Sequence, residues 1–218
     1  MDNRHKQQKN NNNIAFVLGN GRSRLNADLN VLKNYGTIYG CNALYREFEP
    51  DYLIAVDVKM INEIISSGYH KTHSVWTNPN KGVSTKDNIN FFSPHKGWSS
   101  GPTALWFAAQ KGYKKIYILG FDYQGVAGKF NNVYADTFNY KKSSDAATFH
   151  GNWLSQTDKV IKEFKNIKFY RVVEDSNAFI PDLLSSNNSN LQHIGYREFL
   201  ATFTSDIYTD EINQKTTI

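Results

Sequence analysis

Leu18-Gly19-Asn20-Gly21-Arg22-Ser23 follows a short apolar run and precedes a helical pattern. Glycines let the backbone turn tightly there, and the free amides of a helix start can hold an anion. A plain strand-to-helix turn would use the same residues. No Gly-Lys-Ser/Thr follows, so the turn is not a P-loop. It is also a poor dinucleotide fingerprint, because its third glycine place holds Arg24. About 20 residues further on, a dinucleotide fold offers an acid to the ribose; here the chain reads Gly40-Cys41-Asn42. Asn42 can both donate to and accept from a ribose or a base edge without repelling phosphate. Gly19, Asn20, Gly21, Ser23 and Asn42 therefore read as a nucleotide-contacting set that does not suit NAD.

Two carboxylates, Asp57 (IAVD) and Asp122 (LGFD), each follow an apolar run. In open α/β sheets ligands bind at the carboxyl ends of strands, so either can orient a substrate hydroxyl or act as a base. Helix capping or a loop hydrogen bond is the competing use of both. Ser99-Ser100-Gly101-Pro102 opens another helical pattern. Ser100 and Gly101 would face the first turn across the crevice, unless they only cap the helix. His150, at the end of a long irregular stretch and just before a helix, is the favoured proton acceptor; His70, His73 and His95 read as solvated. No spacing resembles a zinc site, and no Asp-x-Asp pair is present to hold the metal of a metal-dependent glycosyl transferase. Cys41 reads as a small packed residue rather than a nucleophile.

These residues need a scaffold. Ile14–Leu18, Tyr52–Val56 and Ile116–Leu119 are apolar throughout rather than alternating, the mark of strands covered on both faces. Weaker strands are expected at Thr37–Tyr39, Ser74–Thr77, Ile89–Phe92 and Lys168–Val173. Apolar residues at three- and four-residue spacing predict helices over Asn26–Leu32, Val58–Ser66, Pro102–Lys111 and Leu154–Phe164, with Pro102 suited to a first turn. The alternation predicts an α/β fold: a Rossmann-like, open, mostly parallel sheet with helices on both faces. Residues 121–149, with Phe130, Tyr134, Phe138 and Tyr140, read as a lid-like segment.

The remaining features set bounds. The 218 residues carry a net charge of +5, which favours anionic ligands without a basic block that would mark a nucleic-acid face. Arg4, Lys6 and Lys9 leave an anionic acceptor, nucleic acid included, as a lesser possibility testable by salt dependence. Residues 1–13 read as a disordered polar tail, 14–184 as the nucleotide-binding domain, and 185–218 as a linker with a C-terminal helical appendage. Tyr196, Phe199, Leu200 and Phe203 share a helical face that should dock on the domain or on a second subunit of a homo-oligomer. No run approaches the roughly 18 apolar residues of a membrane span. With no secretory h-region and one cysteine, a cytoplasmic location is expected.

The order GNGRS, YGCNALYREFEPDYLIAVD, SSGPTALWFAAQKGYKKIYILGFDY resembles the MptE-like Rossmann domain family, which includes archaeal 6-hydroxymethylpterin diphosphokinases and bacterial proteins of surface-glycan loci. It is also similar to bacterial lipooligosaccharide sialyltransferases, which use CMP-sialic acid and need no metal. The resemblance spans Ile14 to Asp182. It implies nucleotide contacts from Asn20 and Asn42, a pocket completed by Ser100 and Gly101, and Asp122 at the crevice. The family's histidine, a few residues before a Thr-Asp pair, corresponds to Trp153 before Thr157-Asp158, with His150 just upstream. Gly97 stands at the place of an arginine, and Gln124 at that of a tyrosine, for which Tyr123 and Tyr134 are the candidates. The resemblance thus implies a glycosyltransferase with a CMP-sugar co-substrate, a glycan or other hydroxylated acceptor, and no tightly bound cofactor or metal. Its alternatives are diphosphate transfer from ATP with Mg²⁺, and a non-catalytic nucleotide-binding module.

Overall fold

The run IAFVL becomes the central strand, β1 (Ile14–Leu18), of an eight-stranded sheet in the computed structural model. The description covers residues 13–80, 82–83, 89–176, 178–185 and 188–203. The strands are β2 (Thr37–Cys41), β3 (Tyr52–Ile54), β4 (Val75–Thr77), β5 (Ile89–Phe91), β6 (Lys115–Leu119), β7 (Lys168–Val173) and β8 (Leu191–Gly195). All pair in parallel, in the order β5-β4-β3-β2-β1-β6-β7-β8. After β1 the chain builds outward on one side as far as β5, then returns to pair β6 with β1's free edge. The junction of β1 and β6 is therefore the topological switch point, where crossovers diverge and a crevice opens at the strand ends.

Successive side chains on β1 feed two cores, as strand alternation requires. Phe16 and Leu18 pack with α1 (Leu29–Leu32), α2 (Val58–Ser67) and the helical residues 196–203. Ala15 and Val17 meet α3 (Ser100–Gln110), α4 (Gly151–Glu163) and Leu184 of α5 (Asp182–Ser185). Helices thus cover both faces of an open Rossmann-like sheet. Helix α3 is buried from Pro102 to Ala109, which explains its apolar circumference.

Two expectations are corrected. Asn26–Leu32 is not one helix: a 3-10 turn spans Arg22–Asn26, Ala27 is extended, and Asp28 accepts from the Asn30 amide to start α1. Asp28 is a strong cap and so restarts the helix where the apolar spacing runs on. The domain does not stop at residue 184, because β8 extends the sheet beside β7. The C-terminal helix, beyond that strand, docks on its own chain: Tyr196, Phe199 and Phe203 are buried, with Phe203 5.4 Å edge-on to Phe16. The tail expected over 1–13 lies outside the described residues except for Asn13. No helix among the described residues is long and apolar enough to cross a membrane.

Candidate functional site

The first turn and the turn after β6 meet main chain to main chain. The Gly19 amide donates to the Leu119 carbonyl at 2.8 Å, and the Gly21 amide to the Gly120 carbonyl at 2.9 Å. A Cβ at Gly19 would lie 2.6 Å from the Gly120 oxygen, and one at Gly21 would lie 2.5 Å from the Asp122 carboxylate. Only glycine permits that approach. Gly120 itself has φ +69°. The close contact fixes the floor of a cavity of about 270 Å³ at the carboxyl ends of the strands.

Into this cavity the fold brings Gly19, Asn20, Gly21, Asn42, Asp57, Ser100, Gly101, Asp122, Tyr123 and His150, the first and last of which lie 131 positions apart in sequence. Ser23 does not line it. It is buried behind Asp122, to whose carboxylate it gives both its hydroxyl and its amide. Asn131 Nδ2 adds a third hydrogen bond to Asp122, at 2.9 Å. Asp122 is held rather than left to swing, which suits a group that orients a substrate.

Ser100 is a bridge, not a cap. Its hydroxyl accepts from the Val56 amide at 3.1 Å and donates to Asn42 Oδ1 at 2.8 Å. That fixes the Asn42 amide and leaves its NH₂ without a partner among the described residues. Asn42 has φ +53° and Tyr123 φ +56°, a costly backbone region for non-glycine residues that concentrates at functional sites. Asp57 N-caps α2 by position but makes no side-chain cap bond; its exposed carboxylate lines the cavity instead. Asn20 Nδ2 donates to the Cys41 carbonyl and the Tyr140 hydroxyl, both at 3.3 Å.

His150 precedes the first turn of α4, and its ring lies 5.3 Å edge-on from Trp153. Burial lowers its pKa below the ordinary histidine value, with Asp122 pulling the other way. The imidazole is therefore neutral at pH 7 and free to take a proton. Trp153 lines the same cavity. Tyr123 turns its hydroxyl to Thr157 Oγ1, 2.7 Å away, and burial raises its pKa. That phenol stays protonated and positions the wall. Tyr134 lies off the cavity; its hydroxyl donates to Glu47 at 2.7 Å. Burial pushes the Cys41 thiol up to about 12, so it is no nucleophile at neutral pH.

Sequence reasoning missed Gln124, Asn131 and Asn132, which line the cavity from the long segment; an isolated amide in a loop has no periodic signature. It also missed Arg171. Buried to 4% exposure, Arg171 donates to the carbonyls of Phe121 at 2.8 Å, Asp122 at 3.2 Å and Phe179 at 2.9 Å. It thereby clamps the turn that carries Asp122. The lining includes no lysine or arginine, and no cluster of three metal-ligating side chains occurs among the described residues. Comparison with protein-family models, curated proteins and solved structures gave no match.

Proposed function

We propose that the chain is a glycosyltransferase that binds a nucleotide-activated sugar, CMP-linked first of all, at the β1–β6 crevice. The observation that carries this reading is the cavity at that crevice, which gathers hydroxyl, amide and main-chain donors with Asp57, Asp122, one neutral histidine and no lysine or arginine. Such a lining fits a donor with one phosphodiester charge better than a triphosphate, which wants several cationic groups around it. Asn20, Asn42, Ser100 and Gly101 hold the nucleotide, and Asp122 orients a hydroxyl. His150 takes the acceptor proton as the acceptor oxygen bonds to the anomeric carbon. The sugar–phosphate bond breaks, and CMP leaves. The reaction needs no metal in this reading, and the protein works in the cytoplasm.

A second reading keeps one supporting observation: Asp57 and Asp122 reach the same cavity and can hold the Mg²⁺ of an ATP-dependent diphosphate transfer. Thermal shift with CMP, CDP, UDP, GDP, NAD and ATP with Mg²⁺ separates the two. A ligand at a hundredfold excess over its Kd stabilises the native state by about 2.7 kcal/mol. A shift with CMP that is lost in Asn42→Ala, followed by transfer or slow hydrolysis of a CMP-sugar that is lost in His150→Ala, supports glycosyl transfer. A shift confined to ATP with Mg²⁺, with diphosphate transferred to a pterin alcohol and AMP released, replaces it with the second reading. Nucleotide binding without turnover, indifferent to His150→Ala, reduces the protein to a binding module.

A further inference from the structure

Lysines gather at the amino ends of the strands, away from the crevice. Strands β6 and β7 open with Lys115 and Lys168, which are exposed register partners on adjacent parallel strands. Their main chains are tied together. The Lys114 and Lys115 amides both donate to the Asn13 carbonyl, and the Lys168 amide to that of Lys114, each at 3.0 Å. Register partners project from one face of a sheet whose strands lie about 4.8 Å apart, so two ammonium stems start side by side. Like charges so placed repel. Among the described residues, neither Lys115 nor Lys168 has an ion-pair partner.

A pocket of about 180 Å³ opens at the same end of the sheet, lined by Lys168, Tyr170, Ser189, Asn190 and Gln192 among others and by no carboxylate. Its walls are fixed. Gln192 is the register partner of Tyr170, which stacks on Tyr117 at 4.9 Å. Asn190 Nδ2 donates to the carbonyls of Ile161, Phe164 and Ile167 and so holds the turn that carries Ser189. The Ser189 hydroxyl and the Gln192 amide make no hydrogen bond among the described residues. Lys115 is not in the lining, but an ammonium on a four-carbon stem reaches across one strand spacing. Ammonium, hydroxyl and amide donors with no acid in the lining suit an anion.

We infer that Lys168, Ser189 and Gln192, with Lys115 beside them, form a second anion site that takes a phosphate dianion, free or at the end of a small soluble ester. The two ammonium groups act as point charges against its two negative charges, and the neutral donors take its remaining oxygens. A carboxylate, with one charge and two oxygens, would leave part of this donor set unused. The site lies one strand length, roughly 16 Å, from the crevice. It stands or falls independently of the glycosyl-transfer reading.

Amide NMR on the ¹⁵N-labelled full chain tests it, with inorganic phosphate in one arm, glycerol 3-phosphate in a second, and sodium chloride at matched ionic strength as the blank. Saturable shifts should appear at the Lys168, Ser189 and Gln192 amides and at the Gln192 side-chain NH₂. A response to the ester alone would support the site and name an ester as its ligand. Lys115→Gln with Lys168→Gln should weaken binding about tenfold or more. Lys59→Gln with Lys159→Gln removes the same charge from other exposed positions and should change it by less than about twofold. Gln192 is exposed, so Gln192→Glu should leave the fold intact, place a carboxylate in the pocket and abolish the shifts. Shifts that never saturate, that chloride reproduces, or that both lysine pairs weaken alike overturn the site. Shifts confined to Gly19, Asn42 and Ser100 overturn it too, while leaving the transferase reading in place.

Discussion

The floor and the cover of the cavity are built by different means. The floor joins the turns after β1 and β6 through main-chain hydrogen bonds and glycines, so its geometry follows from sheet register. The cover, drawn from the long segment, has no regular structure beyond isolated bridges at Val126, Lys129 and Ala146. It is held mostly by side chains. Arg46 donates to both Glu63 oxygens at 2.8 Å, to Thr137 Oγ1 at 2.8 Å and to the Phe138 carbonyl at 2.9 Å. Its guanidinium lies 5.7 Å from the ring centroids of both Tyr134 and Tyr140. Glu63 also accepts from Tyr45 and Asn139. Burial alone would raise its pKa, but these hydrogen bonds and Arg46 hold its carboxyl below the usual range. A floor set by register tolerates little change, whereas a cover set by side chains can be loosened one tether at a time.

The largest effect should come from the clamp under the floor. Arg171→Met strands three carbonyl acceptors and should cost about 3 kcal/mol or more in urea unfolding; a loss near zero would show that the turn holds itself. Next, Gly21→Ala drives a methyl into Asp122 and the Gly120 carbonyl. It should cost about 1–3 kcal/mol and abolish the CMP thermal shift. Arg46→Ala, at the cover, should cost only about 1 kcal/mol while weakening CMP binding several-fold by calorimetry. If Arg46→Ala destabilises as much as Gly21→Ala, the contrast between floor and cover is wrong.

The smallest effect is on pH. Burial depresses the pKa of both His150 and His193 in the folded chain. Below pH 6.5 the unfolded chain binds protons that the folded chain resists, so stability should decline as pH falls from about 6.5 and be flat above it. Urea midpoints at pH 7.5 and 5.5 check this. His150→Gln with His193→Gln should shrink the difference, and an unchanged slope would shift the cause elsewhere.

The legibility of each part follows the same division. Ile14–Leu18 and Lys168–Val173 match β1 and β7 to the residue, because strands buried on both faces write unbroken or strongly apolar runs. Strand β8 went unseen: as an edge strand it buries only Ile194 fully, and LQHIG follows the polar run SSNNSN. The cavity lining at strand ends was legible because the topology of parallel sheets puts ligands there. The roles of Ser23, Arg171 and Arg46 were not, since each depends on a partner between 17 and 99 residues away, or on carbonyls that every residue shares.

The 3-10 helix Asn42–Arg46 carries a cavity amide at its first residue and the cover's main tether at its last. A single stiff turn cannot tilt at one end and stay still at the other. The Asn42 amide, held by Ser100 at one end of that turn, and the anchoring of the long segment by Arg46 at the other are therefore set together, so a change in either end is felt at both.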